Sequence, residues 1–455
     1  MAEDAHTKRE AGVQGTIAAL NKKYGKNSVT TMASSAYEIP RISTGLLLLD
    51  LALAGGFPKG RMVEVFGPEE SGKTTMLARV LKNAQRCCVH CGMRATFEVR
   101  GTIVVDLPMG MKKEVPNHVI VDCPCHNPRQ FYGLWQDIEG TFDPVWFEAN
   151  GVWLERCFLA RPVTVEEAID LGQGVLESGQ FDALFLDSIA MGTTMEEIEK
   201  SAADAGRVGG ASKHWNSAMR RWQMMQNQAY KKAVENKNPY AASLVPSVFM
   251  VNQVREKIGM FVGDPETTPG GKGVRFACST RIRASGESVK PKKGSDGDSG
   301  GDGDSEKDDP MMFHKMRFKV KKSKISPSGY GGEYLICQQK TRFHNMGDVD
   351  QDFDLVKYGV STGIISGAQN AYYMPGVFQM DTDDKPTSDP VRFRGKSQME
   401  EYLATHHDYA EVIYNKIVAK MTGTYYDGEI RKDALGEDYV PQEPTFEDGE
   451  DIEVV

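Results

Sequence analysis

The chain has 455 residues, 40% of them hydrophobic and 26% charged, the balance of a globular protein built as one large domain with appendages. It holds no run of 18 apolar residues, and its first residues (Met1-Ala2-Glu3-Asp4-Ala5-His6) are polar, so neither a membrane span nor a secretory signal is expected and the expected location is cytoplasmic. The net charge of −9 is concentrated: residues 437–455 carry eight acidic groups and no Lys or Arg, residues 286–310 carry eight against four lysines, and the remainder is mildly basic, which leaves DNA open as a partner.

In chain order, residues 1–12 are expected to be unstructured. Residues 13–25 read as a short amphipathic helix with Ile17 and Leu20 inside, Lys22 and Lys23 outside, and Gly25 closing it. From 42 to 285, apolar strand-like runs alternate with helical patterns, as a mostly parallel α/β sheet requires. The strand candidates are 62–66, 131–138, 183–187 and 248–252, and the helix candidates are 73–86, 164–178 and 212–235. In the last of these, Trp215, Met219, Trp222 and Met225 form a stripe at helical spacing, which reads as core packing. Residues 286–310 are low-complexity and read as a flexible insertion. Strand character resumes at 316–320 and 333–337, and a compact α+β lobe follows over about 350–425, with helices at 396–403 and 409–421, before the acidic tail. The expected division is 1–35 (N-terminal helix and linker), 36–345 (core, with insertions at 87–128 and 286–312), 346–428 (C-terminal lobe) and 429–455 (tail).

Residues 67–74 read Gly-Pro-Glu-Glu-Ser-Gly-Lys-Thr, a complete G-x-x-x-x-G-K-[ST] phosphate-binding loop between an apolar strand and a helix. In such a loop, backbone N–H groups and the helix N-terminus cradle the β-phosphate, Lys73 neutralises β/γ oxygens, and the Thr74 hydroxyl is left for Mg²⁺. The nucleotide set is therefore Gly67, Pro68, Glu69, Glu70, Ser71, Gly72, Lys73, Thr74 and Thr75, with a nucleoside triphosphate and Mg²⁺ as cofactors. Asp187, at the end of the apolar run Ala183-Leu184-Phe185-Leu186, fits a carboxylate beside that Mg²⁺. Asp137 and Glu139 flank another strand end, where spacing alone does not separate a catalytic pair from a solvated turn.

Five of the eight cysteines lie between 87 and 125. Cys88-x-x-Cys91-Gly92 and Cys123-Pro124-Cys125-His126, separated by strand-like residues at 96–105 and 118–121, read as a zinc ribbon holding a structural Zn²⁺. Cys88, Cys91 and Cys123 are three ligands, and the fourth is Cys125 or His126. Cys87 is a spare.

The order of segments resembles the RecA family of DNA strand-exchange recombinases. The resemblance rests on Ile42-Ser43-Thr44-Gly45, residues 67–74, residues 137–144, Leu186-Asp187-Ser188, Val251-Asn252-Gln253-Val254-Arg255, residues 263–271 and residues 319–325. It covers most of 13–425 and is interrupted by 87–128 and 286–312. These insertions mark a divergent branch, and a phage-encoded origin is consistent with them.

That resemblance implies a RecA-like P-loop ATPase fold. It also implies an ATP-dependent recombinase that forms helical filaments on single-stranded DNA and pairs it with a homologous duplex. Glu139 matches the catalytic glutamate that orients the attacking water, acting with Lys73 and Asp187. Asp143 and Trp146 match positions that contact adenine, and Gln253 matches the sensor of the γ-phosphate. Lys322 and Lys324, at i and i+2 on one strand face, match cations that reach a neighbouring subunit's ATP.

Two loops are expected to hold DNA in a sequence-tolerant, salt-sensitive way. The second, 254–274, carries Arg255, Lys257, Gly270, Gly271 and Lys272, with Arg275 just beyond, and Arg281 and Arg283 extend the basic strand behind it. The first, 196–210, carries Lys200 and Arg207. No motif identifies a loader or mediator protein. Two other readings share the nucleotide loop: a hexameric helicase of the same core fold, and a regulatory protein that binds nucleotide without turnover. The N-terminal helix joined to 42–45 and the 263–271 loop argue against the first, and the presence of Lys73 and Glu139 argues against the second.

Overall fold

The computed structural model describes residues 2–25, 28–29, 39–106, 112–123, 125, 128–199, 210–235, 241–256, 266–289, 313–341, 343–368, 371–380 and 386–424. The acidic tail and most of the low-complexity insertion lie outside the described residues. The first helix, α1, spans Ala2–Tyr24, so 2–12 are helical and not unstructured. Ala, Glu, Lys and Arg dominate that stretch, no proline interrupts it, and helix propensity carries it without an apolar face. Gly25, at φ 105°, ends it.

Among the described residues, nine strands form one sheet. In chain order they are β1 (Met62–Gly67), β2 (Gly133–Asp137), β3 (Cys157–Ala160), β4 (Ala183–Asp187), β5 (Ser247–Gln253), β6 (Thr280–Val289), β7 (Phe313–Ser323), β8 (Gly331–Cys337) and β9 (Val349–Asp350). Their order across the sheet is β9-β8-β7-β6-β1-β5-β4-β2-β3. The six from β6 to β3 run parallel, and β7, β8 and β9 continue the sheet antiparallel. The central parallel strands are buried on both faces, which is why they read as near-continuous apolar runs.

The helices divide between those faces: α2 (Leu47–Ala52), α3 (Lys73–Gln85), α4 (Pro144–Ala149), α5 (Val165–Ser178), α6 (Met195–Glu199), α7 (Gly210–Glu235) and α8 (Gly271–Ala277). Side-chain alternation along the strands sorts two cores. Val63, Val65, Phe185 and Phe249 pack with α3 on one face. Met62, Leu184, Leu186, Val248 and Met250 pack with α5 and α7 on the other. The Trp215, Met219, Trp222, Met225 stripe is buried in this second core.

Two insertions differ from expectation. β6 pairs with β7 as far as Val289–Phe313, so residues 286–289 belong to the sheet and not to the flexible insertion. A strand over Thr96–Asp106 pairs antiparallel with one over Lys112–Asp122, so the second arm of the hairpin begins six residues before 118. Its base is fixed to the core by Trp153, which stacks on His118 at 4.1 Å and carries the Arg86 guanidinium at 4.5 Å.

Helices α9 (Asp352–Ser361), α10 (Lys396–Thr405) and α11 (His407–Thr422) enclose a third apolar cluster. It joins the core through Asp50, fully buried on α2. That carboxylate accepts from Ser43 Oγ at 2.6 Å, Thr44 N at 2.9 Å, Thr44 Oγ1 at 2.6 Å and the Tyr414 hydroxyl of α11. Burial raises its pKa and these donors pull it down. A buried carboxylate left without such donors costs about 1–3 kcal/mol or more, so this knot fixes the C-terminal helices against the core.

Candidate functional site

The ends of four parallel strands converge on one crevice. Phe66 and Gly67 lie beside Asn252 and Gln253, and Asp137 lies beside Asp187. In open α/β sheets, ligands bind outside the carboxyl ends of the strands. The loop from β1 to α3 crosses this crevice. A side chain at Gly67 would meet the Ala284 carbonyl oxygen at 2.1 Å, and one at Gly72 (φ 72°) would overlap Met316, so glycine is required at both.

Lys73 opens α3 and folds back, donating to the Pro68 carbonyl and, at 3.3 Å, to Ser71 Oγ. Burial lowers its pKa, while Glu139, Asp187 and Glu69 oppose that shift. The Thr74 hydroxyl donates to Asp187 Oδ2 at 2.7 Å. Asp187 Oδ1 is buried and accepts no hydrogen bond among the described residues. A hydroxyl and a carboxylate with an unused oxygen at a helix N-terminus fit a hydrated Mg²⁺ carrying phosphate.

Glu139, just beyond β2, is gripped from two other strand ends. Ser188 Oγ donates to its Oε1 at 2.5 Å, and Gln253 Nε2 donates to the same oxygen at 3.1 Å. Asp143 caps α4, accepting from Val145 N at 2.9 Å. The Trp146 indole donates to Thr75 Oγ1 at 3.1 Å, which fixes its ring beside the phosphate loop. Lys73, Thr74, Thr75, Glu139, Trp146, Asp187 and Gln253 therefore share one crevice.

The second loop is braced at its root. Arg255 and Glu256 pair antiparallel with Glu266 and Thr267. Gly270 (φ 85°) and Gly271 (φ 73°) then lead into α8, so the end of this segment is helix and not loop. Lys272 is exposed. Arg275 is half-buried and donates to the Thr267 and Thr268 hydroxyls; it braces the root and does not project as a free cation. Arg281 pairs with the fully buried Glu64, which also accepts from Asn252 Nδ2 at 2.8 Å. Arg283 forms a two-pronged pair with Glu266 at 2.6–3.0 Å. The expected basic strand behind the loop is therefore neutralised. Lys200, Arg207 and Lys257 lie outside the described residues.

Lys322 lies within β7 and Lys324 one residue beyond it, near enough that the Lys324 charge adds to burial in lowering the Lys322 pKa. β7 ends at Ser323 and its pairing slips at Arg281/Ile282. Lys322 caps α8 by donating to the Arg275 carbonyl at 2.6 Å, whereas Lys324 is exposed beyond the strand.

Cys88, Cys91, Cys123 and Cys125 come together with all four Sγ atoms within 4.8 Å of one another. The Cys88–Cys125 separation is 3.8 Å, and Cys91–Cys123 and Cys123–Cys125 are each 3.4 Å. Four thiolates at about 2.3 Å from a tetrahedral ion sit roughly 3.8 Å apart, so this donor set is compatible with zinc. Arg129 N donates to Cys88 Sγ at 3.3 Å, the kind of outer contact that orients a ligand. His126 lies outside the described residues, and Cys87 stands outside the four.

Ser188, the Thr75–Trp146 bond and the Glu64–Arg281 pair were not singled out from the sequence. Glu64 alone left a readable signal, as a carboxylate inside an otherwise apolar strand.

A family model described as the RecA N-terminal domain matches residues 11–99 and 111–328. The chain belongs to the RecA family. Three proteins named Protein RecA show its distance from other members. That of Teredinibacter turnerae is 29% identical over 434 residues, covering 94% of this chain and 99% of that protein. That of Dichelobacter nodosus is 29% identical over 438 residues, covering 94% and 96%. That of Halalkalibacterium halodurans is 26% identical over 446 residues, covering 97% of each. The RecA-family match breaks inside the cysteine-bearing hairpin. No helix among the described residues is long and apolar enough to cross a membrane.

Burial pushes the Asp187 carboxyl up to about 7, with Thr74 pulling it down and Glu139 and Asp137 adding to the rise. An unfolded aspartate titrates near 3.9, so the folded protein without Mg²⁺ holds an extra proton between roughly pH 4 and 7. The stability gained from neutral Asp187 is complete below that window and is lost as pH rises through it. In Mg²⁺-free denaturation, the parent protein should therefore lose stability relative to Asp187→Asn as pH rises from about 4 to about 7, and the difference should level off above that. Parallel pH profiles would contradict this.

Proposed function

We propose that this RecA-family chain is an ATP-dependent recombinase that assembles into filaments on single-stranded DNA, pairs it with a homologous duplex, and hydrolyses ATP in response to DNA. The observation that carries the reading is the position of Glu139, whose single carboxylate oxygen accepts from Ser188 and from Gln253. Gln253 continues directly into the braced root of the second loop, with Asn252 tied to the Pro269 carbonyl at 3.0 Å. A change at the water-orienting glutamate therefore reaches the loop through one side chain. In this reading Mg²⁺, when bound, supplies charge for the phosphate oxygens. Thr74 and Asp187 hold it, Lys73 neutralises the β/γ oxygens, Glu139 orients water, and Trp146 with Asp143 receives the adenine.

DNA contacts are assigned to Arg255, Lys257, Lys272, Gly270 and Gly271 of the second loop and to Lys200 and Arg207 of the first. Arg275 supports them from below. Lys324, exposed at the end of β7, is the cation assigned to a neighbouring protomer's nucleotide.

Replacing Glu139 by Gln should lower DNA-stimulated turnover by about 10²–10⁴-fold, the range for loss of a general base, while filaments still form with ATP and single-stranded DNA. Turnover assays with negative-stain electron microscopy check this. Undiminished hydrolysis, or closed rings in place of filaments in the parent protein, would overturn the reading.

The cysteine cluster is assigned a structural zinc that holds the hairpin on the core. Metal analysis should find one zinc per chain. Cys91→Ser should lose it and, by loosening the hairpin base, lower thermal stability. A zinc content near zero in the parent protein contradicts the assignment.

A further inference from the structure

A cavity of about 310 Å³ lies where the C-terminal half of α3, the cysteine-bearing turn and α11 meet. Arg79, Lys82, Asn83 and Arg86 face it as one helical stripe, at spacings of three, one and three. Arg79 is only 7% exposed. Its Nη1 donates to the Gly347 carbonyl at 3.1 Å, but its Nε is buried with no acceptor among the described residues. Arg86 lies over the Trp153 ring, and among the described residues its guanidinium donates to the Lys82 carbonyl, at 2.9 Å. Lys82 has no ion pair or hydrogen bond among the described residues. Its stem rests against Gly151.

The opposing charge is small. Arg94, a fourth cation on the rim, is taken by Glu411. Asp348 faces the stripe, but one of its oxygens already accepts from Asn345 N at 2.7 Å. Asp352, deeper in the same cavity, is pushed up to about 7 by burial and by Asp350, Glu400 and Asp348. Burial and the flanking arginines push Lys82 down to about 7 and Arg86 to about 10. Three half-buried or buried cations on one helix face are unfavourable unless an anion shares their field. An unused guanidinium N–H beside an ammonium suits the tetrahedral oxygens of a phosphate group.

Lys82 lies nine residues along α3 from Lys73, roughly 14 Å at the rise of an α-helix, so this cavity is not the phosphate loop. Its walls come from three parts of the chain and leave room for a small molecule rather than a polymer.

We propose that the cavity binds a small phosphate-bearing anion through Arg79, Lys82 and Arg86. The ligand chemistry is a phosphate dianion, either free or at the end of a nucleotide.

The test is thermal unfolding of the full chain carrying Lys73→Ala, which silences the phosphate loop, with and without Lys82→Met. Orthophosphate, pyrophosphate and ADP are added in separate arms at constant ionic strength. Without added anion, Lys82→Met should melt no lower than its parent, because a repulsive charge is gone. At least one of the three anions should raise the parent's Tm by about 2 °C or more, and Lys82→Met should lose most of that rise. A response to the inorganic anions identifies free phosphate as the source, and a response to ADP alone identifies a nucleotide. Lys82→Gln replaces the methionine variant if the latter does not fold. Equal shifts in parent and variant, or no shift in the parent with any anion, would overturn the proposal. Neither result bears on the recombinase reading.

Discussion

One carboxylate oxygen ties the structure together. Glu139 Oε1 sits where β2, β4 and β5 end, and it accepts from Ser188 beyond β4 and from Gln253 at the end of β5. Both bonds depend on parallel pairing in register, since a one-residue slip would turn either donor to the opposite face of the sheet. The register is held from behind by Phe185, Phe249 and Trp135, whose rings stack at 5.0–5.2 Å between centroids across three strands. Buried apolar packing thus helps set the register on which this small polar cluster depends.

Around that cluster the charges are arranged to brace. Glu64 is fully buried and would be costly unpaired, yet it holds Arg281 from β6 and Asn252 from β5 at once. Arg283 with Glu266, and Arg275 with Thr267 and Thr268, complete a rigid root under the second loop. Cations that look like a DNA-binding strand in the sequence are spent on holding the loop in place. Lys272 and Arg255 remain exposed.

Much of this was legible in the sequence because it is local. The phosphate loop needs glycines at two close approaches and a lysine at a helix start, all within eight residues. β4 is legible to its ends from a four-residue apolar run closed by Asp187. The fates of Arg275, Arg281 and Arg283 were not legible, because their acceptors lie 7 to 217 positions away and a basic residue in a strand carries no mark of what it pairs with. That Lys322 is taken up by the Arg275 carbonyl while Lys324 stays exposed just past the end of β7 at Ser323 is likewise set by tertiary context, which period-two counting does not carry. The helix over 2–12 was missed because it lacks apolar periodicity, the signal by which helices are read. Which sulfur completes the cysteine set depends on how the hairpin closes, and the fold brings Cys125 alongside Cys123.

In the proposed function, Glu139 and Gln253 act as one unit linking nucleotide to DNA. The most direct measurement is a double-mutant cycle on single-stranded DNA affinity with a non-hydrolysable ATP analogue, using the parent protein, Glu139→Gln, Gln253→Ala and the double variant. A shared hydrogen bond predicts that the two changes are non-additive by about 1 kcal/mol or more. Effects that add to within about 0.5 kcal/mol would show that the two side chains act independently and would contradict the account.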